Sequence, residues 1–132
     1  MGLRATVYSH CTSGSTGSLI STRCYPSSLP ENLDLPSVNY AIRYIVVSYN
    51  DAYVRTYGNA TGRAERRVQI DCYGDTPDRC ATLADAVRAD WDGWSSGTAV
   101  GRVRVANSVE LGWQDDVNAY RETVDVLVEH KR

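Results

Sequence analysis

The stretch of residues 66–91 constrains the fold more than any other, because a strand pattern runs directly into a helix pattern there. In residues 66–76, RRVQIDCYGDT, the apolar Val68, Ile70 and Cys72 alternate with polar side chains. A period of two is typical of a β-strand whose two faces differ. The apolar face predicts contact with a core. The other face carries a charge, an amide, a carboxylate and a phenol in a row, which a solvated sheet face, an active site or a subunit interface would each explain.

The residues after this strand have the signals of a helix that begins at Pro77. Thr76 is a favourable N-cap residue, and proline is favoured at the first helical position. Apolar residues then recur at intervals of three and four, which places them along one side of a helix. They are Cys80, Leu83, Ala84, Val87 and Trp91. The sequence therefore predicts an amphipathic helix that ends before Gly93.

The N-terminal part of the chain contains weaker signals. Residues 2–12 favour a short helix, and TSGSTGS at 12–18 is rich in residues that favour a loop. A short strand is predicted around Cys24. Prolines at 26, 30 and 36 then prevent a helix, because proline restricts its own backbone and that of the preceding residue. We expect this segment to form an extended arm that packs along a surface.

Three further strands are predicted at 38–50, 101–113 and 120–130, where β-branched and aromatic residues alternate with others. Residues 51–65 lack periodicity and contain two glycines, so they form either a long hairpin loop or an extension of the hairpin beyond the sheet. The order of elements predicts an α+β fold, with a mostly antiparallel four- to five-stranded sheet and two helices packed on one face. The length indicates a single domain, residues 1–132.

Composition and charge exclude several classes of protein. With a net charge of −2, the chain has no overall electrostatic attraction for DNA or RNA. No stretch is long and apolar enough for a membrane span, and the N-terminus lacks the charged and apolar regions of a signal peptide. We therefore expect a protein that is made and folded in a cytoplasm.

No motif for catalysis, metal binding or cofactor binding is present. The four cysteines lack the spacing of a zinc site or a thioredoxin-like motif, and we expect them to be buried as small apolar residues. His10 and His130 lie near the chain termini, outside any catalytic pattern. Phosphate-binding loops, nucleophile elbows and metalloprotease motifs are absent. We expect no metal, no cofactor and no enzyme activity.

Asp71 and Asp125 are the residues for which catalysis has to be weighed. Each is a polar residue in the middle of a core strand, and two carboxylates on one sheet can form an acid–base pair. Alternatively, each carboxylate pairs with an arginine on the same face, such as Arg43 or Arg67, within one subunit or across an interface. The number of nearby arginines favours pairing.

Four segments follow one another in a consistent order between residues 22 and 130, so that together they span most of the chain: TRCYPSSLPENLDLPSVNYAI, RRVQIDCYGDT, ATLADAVRADWDGW and YRETVDVLVEH. Their most specific parts are the R-x-Y-P…L-P…L-P arm, the R-V-Q-I-D strand and the L-A-D-A-V-R helix. None of these parts is a catalytic motif. Together they resemble the tail-completion (tail-terminator) proteins of long-tailed bacteriophages and of related gene transfer agents.

The resemblance implies a structural virion protein without an active site. Such a protein assembles, usually as a hexameric ring, on the head-proximal end of the tail tube, where it stops tube polymerisation and joins the tube to the head or neck. Its partners are further copies of itself, the tail-tube protein and a neck or head-completion protein. Double-stranded DNA passes through the lumen of the ring, and no membrane or small-molecule substrate is involved. The expected location is the head–tail joint of the virion, after assembly in the bacterial host cytoplasm.

Two other assignments stay open from the sequence. Another ring of the same joint, such as a head-completion or minor tail protein, is the nearer alternative. The more distant one is a small cytoplasmic enzyme or ligand-binding protein that uses Asp71 and Asp125.

In a ring, each subunit presents one surface to one neighbour and a different surface to the other. Polar residues on rigid strands can fix the orientation of such a contact, which apolar area alone does not do. The resemblance therefore gives six candidate interface residues: Arg67, Gln69, Asp71, Tyr73, Arg43 and Asp125. Residues 50–63 are the candidate loop facing the lumen or the tail tube, with Asp51, Arg55 and Arg63. Their mixed charge predicts weak contacts with DNA, which passage of the genome requires.

Overall fold

The computed structural model describes residues 3–26, 29, 33, 38–50, 55–56, 59–60, 63–95, 100–115 and 117–131. The helices in this part of the chain are α1 (Leu3–Cys11), α2 (Gly14–Ile20) and α3 (Pro77–Trp91). The strands are β1 (Cys24–Pro26), β2 (Tyr40–Asn50), β3 (Arg55–Thr56), β4 (Asn59–Ala60), β5 (Arg63–Gly74), β6 (Val100–Gln114) and β7 (Ala119–Lys131). Asp51 and most of the predicted proline-rich arm lie outside the described residues.

Five strands form one sheet in the order β1-β2-β5-β7-β6. β1 is parallel to β2, and every other neighbouring pair is antiparallel. The predicted α+β class and mostly antiparallel sheet are therefore confirmed, although the described residues contain three helices where two were expected. β3 and β4 pair separately, which agrees with a hairpin extension between β2 and β5 rather than a structureless loop.

The predicted apolar face of β5 lies in the core. Val68 pairs with Val126 of β7, and Ile70 pairs with Tyr44 of β2 and Val124 of β7. Because directly paired residues share a face of the sheet, these side chains form a continuous apolar surface. Buried residues of α1, α2 and α3 cover this surface. All four cysteines are buried with free thiols, as predicted.

α3 has the start and the buried side that the sequence predicts. The Thr76 hydroxyl accepts a hydrogen bond from the backbone N–H of Arg79 at 3.2 Å, and Pro77 occupies the first turn. The apolar stripe is buried against β5 and β7, with Trp91 its largest side chain. After the last turn, Gly93 adopts a φ of +79° and donates its N–H to a carbonyl of β6 at 2.8 Å.

The TSGSTGS segment was predicted to be a loop, and this prediction is wrong for most of its length because Gly14–Ile20 form α2. Ser13, the N-cap residue of α2, makes no side-chain cap hydrogen bond. The cap comes from α3, where the Asp90 carboxylate accepts hydrogen bonds from the Thr16 N–H at 2.8 Å and the Ser15 hydroxyl at 3.0 Å. A carboxylate at a helix N-terminus also interacts favourably with the helix dipole. Local composition misses this helix because the capping group is distant in sequence.

The junction between β5 and α3 depends on close backbone approach at Gly74. A Cβ added to Gly74 would lie 2.4 Å from the backbone nitrogen of Cys80 and 2.8 Å from its Cα. We expect Gly74→Ala to lower the free energy of unfolding by about 3 kcal/mol, because strand or helix must move to relieve the overlap. Chemical denaturation measures the loss.

Gly93→Ala is the matched control for this experiment. Nothing lies within 4 Å of a Cβ added at Gly93, so only its positive φ carries a cost, about 1 kcal/mol. Equal losses in the two variants would contradict the overlap at the junction.

The Asp90 cap makes stability sensitive to acid. Burial raises the pKa of the Asp90 carboxyl, but hydrogen bonds from Thr16 and Ser15, together with nearby His10, outweigh burial and hold the pKa below its usual 3.8. A carboxyl whose pKa is lowered on folding contributes stability that is complete above the unfolded-state pKa and is lost as the pH falls through the folded-state value. We expect Asp90→Asn to be less stable at neutral pH and to lose less stability below about pH 4 than the wild type. Thermal unfolding across this range tests the prediction, and parallel curves for the two proteins would refute it.

Candidate interaction surfaces

The face of the sheet opposite the helices carries the polar residues that the sequence singled out. Arg43 of β2, Asp71 of β5 and Thr123 of β7 form one row across three strands, and Gln69 pairs with Asp125 in the next row. Since paired residues point to the same side, the six candidate interface residues share this face. We call it the open sheet face; beside the six candidates it includes Thr123 and Arg121 of β7 and Arg104, Asn107 and Val109 of β6.

One end of the open sheet face is covered by the chain itself. Tyr73 is 3% exposed and forms a second small apolar cluster with Ala41 and Ala119. Leu29 and Leu33 pack against this cluster, which agrees with the prediction of an arm along a surface. Burial raises the pKa of the Tyr73 hydroxyl. Within a single subunit, Tyr73 therefore acts as a core residue at the edge of the polar face.

Asp71 is fully enclosed and both of its oxygens are engaged. Its side chain has no exposed area, and Oδ2 accepts hydrogen bonds from Arg43 Nε at 2.8 Å and from a second guanidinium nitrogen. Oδ1 accepts from Thr123 Oγ1 at 2.7 Å and from Gln69 Nε2 at 3.0 Å. Arg121 Nε lies further away, 3.8 Å from Oδ1. One carboxylate thereby links β2, β5 and β7 through charge-assisted hydrogen bonds.

Asp125 makes a simpler pair at the next row. Arg67 Nη2 donates to Asp125 Oδ2 at 2.5 Å, with the Asp125 side chain 8% exposed and the Arg67 side chain 46% exposed. Oδ1 of Asp125 is buried without a hydrogen bond to any described residue. The interpretation in which each aspartate pairs with an arginine is therefore confirmed, and both pairs form within one subunit.

The candidate lumen residues are described only in part. Asp51 lies outside the described residues. Arg55 is the first residue of β3 and pairs with Ala60, whereas Arg63 is the first residue of β5 and pairs with Lys131 of β7. The part that these residues take in an assembly stays a prediction.

β6 carries exposed apolar side chains that the sequence analysis did not predict. Val109, Leu111 and Trp113 are 43%, 42% and 48% exposed. With Tyr8, they are the exposed large apolar residues of the described part of the chain. β6 is an edge strand of the sheet and pairs with β7 on one side. Exposed apolar side chains gathered on one edge strand are typical of a protein–protein contact.

A bulge explains why residue spacing misleads on β6. The register shifts between Val105 and Asn107, where one extra residue is inserted. Such an insertion transfers the following residues to the opposite face. Val109 therefore lies on the open sheet face, whereas Val103, an even number of residues earlier, is buried under the helices. The two consecutive polar residues Asn107 and Ser108, which interrupt the alternation, are the one sequence signal that could have revealed this change.

His10, the one histidine whose side chain is described, is a packing residue. Its ring stacks on Trp94 with centroids 3.7 Å apart, and Nε2 lies 2.7 Å from the Asp90 carbonyl oxygen. Burial lowers the pKa of His10. Among the described residues, no group of three or more His, Cys, Asp or Glu side chains is arranged to hold a metal ion. No described helix has the length and apolar character to cross a membrane.

These observations define a class of protein: a two-layer α+β domain whose buried carboxylates are held by arginines. Its exposed features are an apolar edge strand and a partly open polar sheet face.

Comparison with solved structures finds a similar chain in the virion of a native gene transfer agent (GTA) particle. The two chains superpose with a TM-score of 0.70 at 15% sequence identity, over 98% of this chain and 95% of that chain. At this identity the similarity shows a shared fold. No protein-family model matches the sequence, and no curated protein matches it either.

The Asp71 network predicts a large loss of stability when its charge is removed. Asp71→Asn keeps the shape of the side chain but leaves the Arg43 guanidinium without its carboxylate, so we expect a loss of about 3 kcal/mol in the free energy of unfolding. Asp115→Asn, at an exposed position in the turn after β6, is the matched control and should cost under about 0.5 kcal/mol, because asparagine keeps an Oδ1 that can accept the hydrogen bond from Trp113 Nε1. Urea denaturation of both variants measures these changes in the free energy of unfolding. An Asp71→Asn protein as stable as wild type would show that the network contributes little.

Proposed function

We propose that this chain is a structural subunit of a bacteriophage-like or gene-transfer-agent-like particle, and that within it the chain is a tail terminator. Copies of the chain form a ring, hexameric in this proposal, on the head-proximal end of the tail tube. The ring stops polymerisation of the tube and joins it to the head or neck, and DNA passes through its lumen. The observation that carries the proposal is the shared fold with a chain of a gene transfer agent virion, which extends over nearly the full length of both chains.

The sequence resemblance to tail terminators is a second line of support for the proposal. R-V-Q-I-D lies in β5, the central strand of the sheet, and L-A-D-A-V-R lies in α3, the helix that covers it. The resemblance therefore involves the central strand of the sheet and the helix that packs on it.

The geometry of the carboxylates favours a structural role over catalysis. A general base must reach a substrate proton, and it needs a lone pair that is free when the substrate arrives. Asp71 has no exposed area and four hydrogen bonds. Asp125 is held by Arg67 through Oδ2, and its Oδ1 is buried. Both carboxylates are thus used to join strands, which is the requirement of a rigid assembly subunit.

The proposed partners follow from this role. They are neighbouring copies of the chain, the tail-tube protein, and a neck or head-completion protein, at the head–tail joint of the particle. Asp51, Arg55 and Arg63 are proposed to face the lumen or the tube. Their mixed charge suits brief contact with DNA, since each additional neutralised phosphate would strengthen binding and slow the passage of the genome.

The test is to add purified protein to its cognate tail-tube protein during tube polymerisation and to measure tube length by electron microscopy. We expect growth to stop, with the protein bound as a ring at one end of each tube. Light scattering of the released ring gives its subunit number. Binding at the joint without an effect on tube growth would instead assign the chain to another ring of the neck, and failure to bind tubes or neck proteins would refute a role at the head–tail joint.

A further inference from the structure

The open sheet face has an excess of positive charge at its centre. Asp71 and Asp125 are already paired with Arg43 and Arg67. Arg121 adds a third guanidinium, and Arg104 of β6 adds a fourth. Arg104 is exposed and forms no hydrogen bond or ion pair with any described residue. Glu129 lies one row beyond this centre, so the excess is local to the area between β2 and β6.

The outer surface of α3 carries the opposite charge. Asp78 and Asp85 lie seven residues apart on one side of the helix, and all three aspartates Asp78, Asp85 and Asp92 are exposed. Asp92 is the C-cap residue, and its Oδ1 accepts the N–H of Val105. Asp85 has an ion pair with Arg88, but its side chain is still 72% exposed. The exposed residues between these aspartates are small: Ala81, Thr82 and Ala89. Small side chains allow another surface to approach the helix closely.

We infer that the acidic outer side of α3 in one copy binds the open sheet face of the next copy. This inference rests on the proposed function, because it names the contact that joins subunits in the ring. α3 packs on one side of the sheet and the arginines lie on the other, so the two surfaces are on opposite sides of the domain. A contact between the back of one subunit and the front of the next is heterologous, and it generates a ring when the rotation closes.

The dimensions of the two surfaces agree. Asp78 lies in the first turn of α3 and Asp92 is its C-cap residue, about 21 Å further along the helix axis at 1.5 Å per residue. Arg43 and Arg104 are three strand spacings and about four residues apart, which gives a diagonal of about 20 Å across the sheet. The row of aspartates can therefore lie along the diagonal of arginines without leaving either end unmatched.

Two features of the open sheet face are incomplete in a single subunit. Asp125 Oδ1 is buried without a hydrogen bond to a described residue, and native interiors rarely leave such an oxygen unpaired. Val109 is 43% exposed on the same face. A neighbouring subunit placed on this face would cover Val109. The open sheet face therefore has the features of a protein–protein interface: charged groups that set orientation and apolar area that adds affinity.

Two single charge reversals test the inference in the full-length protein. Arg104→Glu changes the open sheet face, and Asp85→Lys changes the outer side of α3. Self-association is measured by sedimentation velocity at low salt, alone and with tail tubes. Each variant alone should associate at least about tenfold more weakly than wild type, because each meets a like charge on its neighbour. Association of wild type should also weaken with salt, since screening at 0.1 M acts over about 10 Å.

An equal mixture of the two variants gives the sharpest result. In a ring with an even number of subunits, the two variants can alternate. The α3 surface that carries Asp85→Lys in one variant then meets the sheet face that carries Arg104→Glu in the other, so assembly should return toward the wild-type level. The charge-preserving controls Arg104→Lys and Asp85→Glu should assemble as wild type does. Unfolding midpoints of all variants verify that they are folded.

Each outcome separates the two proposals. If wild type forms a ring that either reversal leaves unchanged, or if the mixture does not recover, the contact assigned here is wrong while the tail-terminator role stands. If wild type forms no assembly alone or on tubes, the ring fails, and the proposed function fails with it.

Discussion

The carboxylate of Asp71 is the interaction on which the rest of the sheet depends. It lies on the central strand and binds Arg43 on one side and Thr123 on the other, so one buried charge fixes the register of three strands. A shifted register would separate Asp71 from Arg43 and leave an uncompensated charge in the interior. A register error of one residue would also move Val68 and Ile70 out of the core. The apolar and polar faces of β5 therefore specify the same pairing by two independent means.

α3 connects the sheet to the other elements of the domain. It follows β5 with almost no linker, and its buried stripe covers the apolar face of the sheet. Its polar side then makes separate connections: Asp90 caps α2, Arg88 pairs with Glu122 of β7 at 2.6 Å, and Asp92 Oδ1 accepts the N–H of Val105 in β6 at 3.1 Å. A helix whose ends and sides are all fixed in this way cannot shift along the sheet. The aspartates on its outer surface consequently keep a constant position relative to the arginines on the far side.

Elements with local signals could be predicted from the sequence, and elements determined by distant contacts could not. β5 and α3 follow from alternation, an N-cap and a helical stripe, all within the segment itself. α2 was missed because its cap is Asp90, and the two faces of β6 were missed because a bulge near Ala106 reverses the alternation. The arginine partners of the aspartates were anticipated from the strand pattern. The burial of Tyr73 was not, since it depends on the arm that folds over it.

The exposed surfaces differ in what each can contribute to an assembly. Apolar side chains such as Leu111 and Trp113 add affinity without fixing an angle. Register shifts at three places along β6, and the φ of +76° at Gly112, make this edge irregular and oppose its extension by the strand of another sheet. Charges held on a rigid helix and a rigid sheet are directional, because they lose their partners when a neighbour rotates. The proposed ring must close with a fixed number of subunits and therefore needs directional contacts. In that proposal the charged faces set the geometry of assembly, and the apolar edge adds affinity.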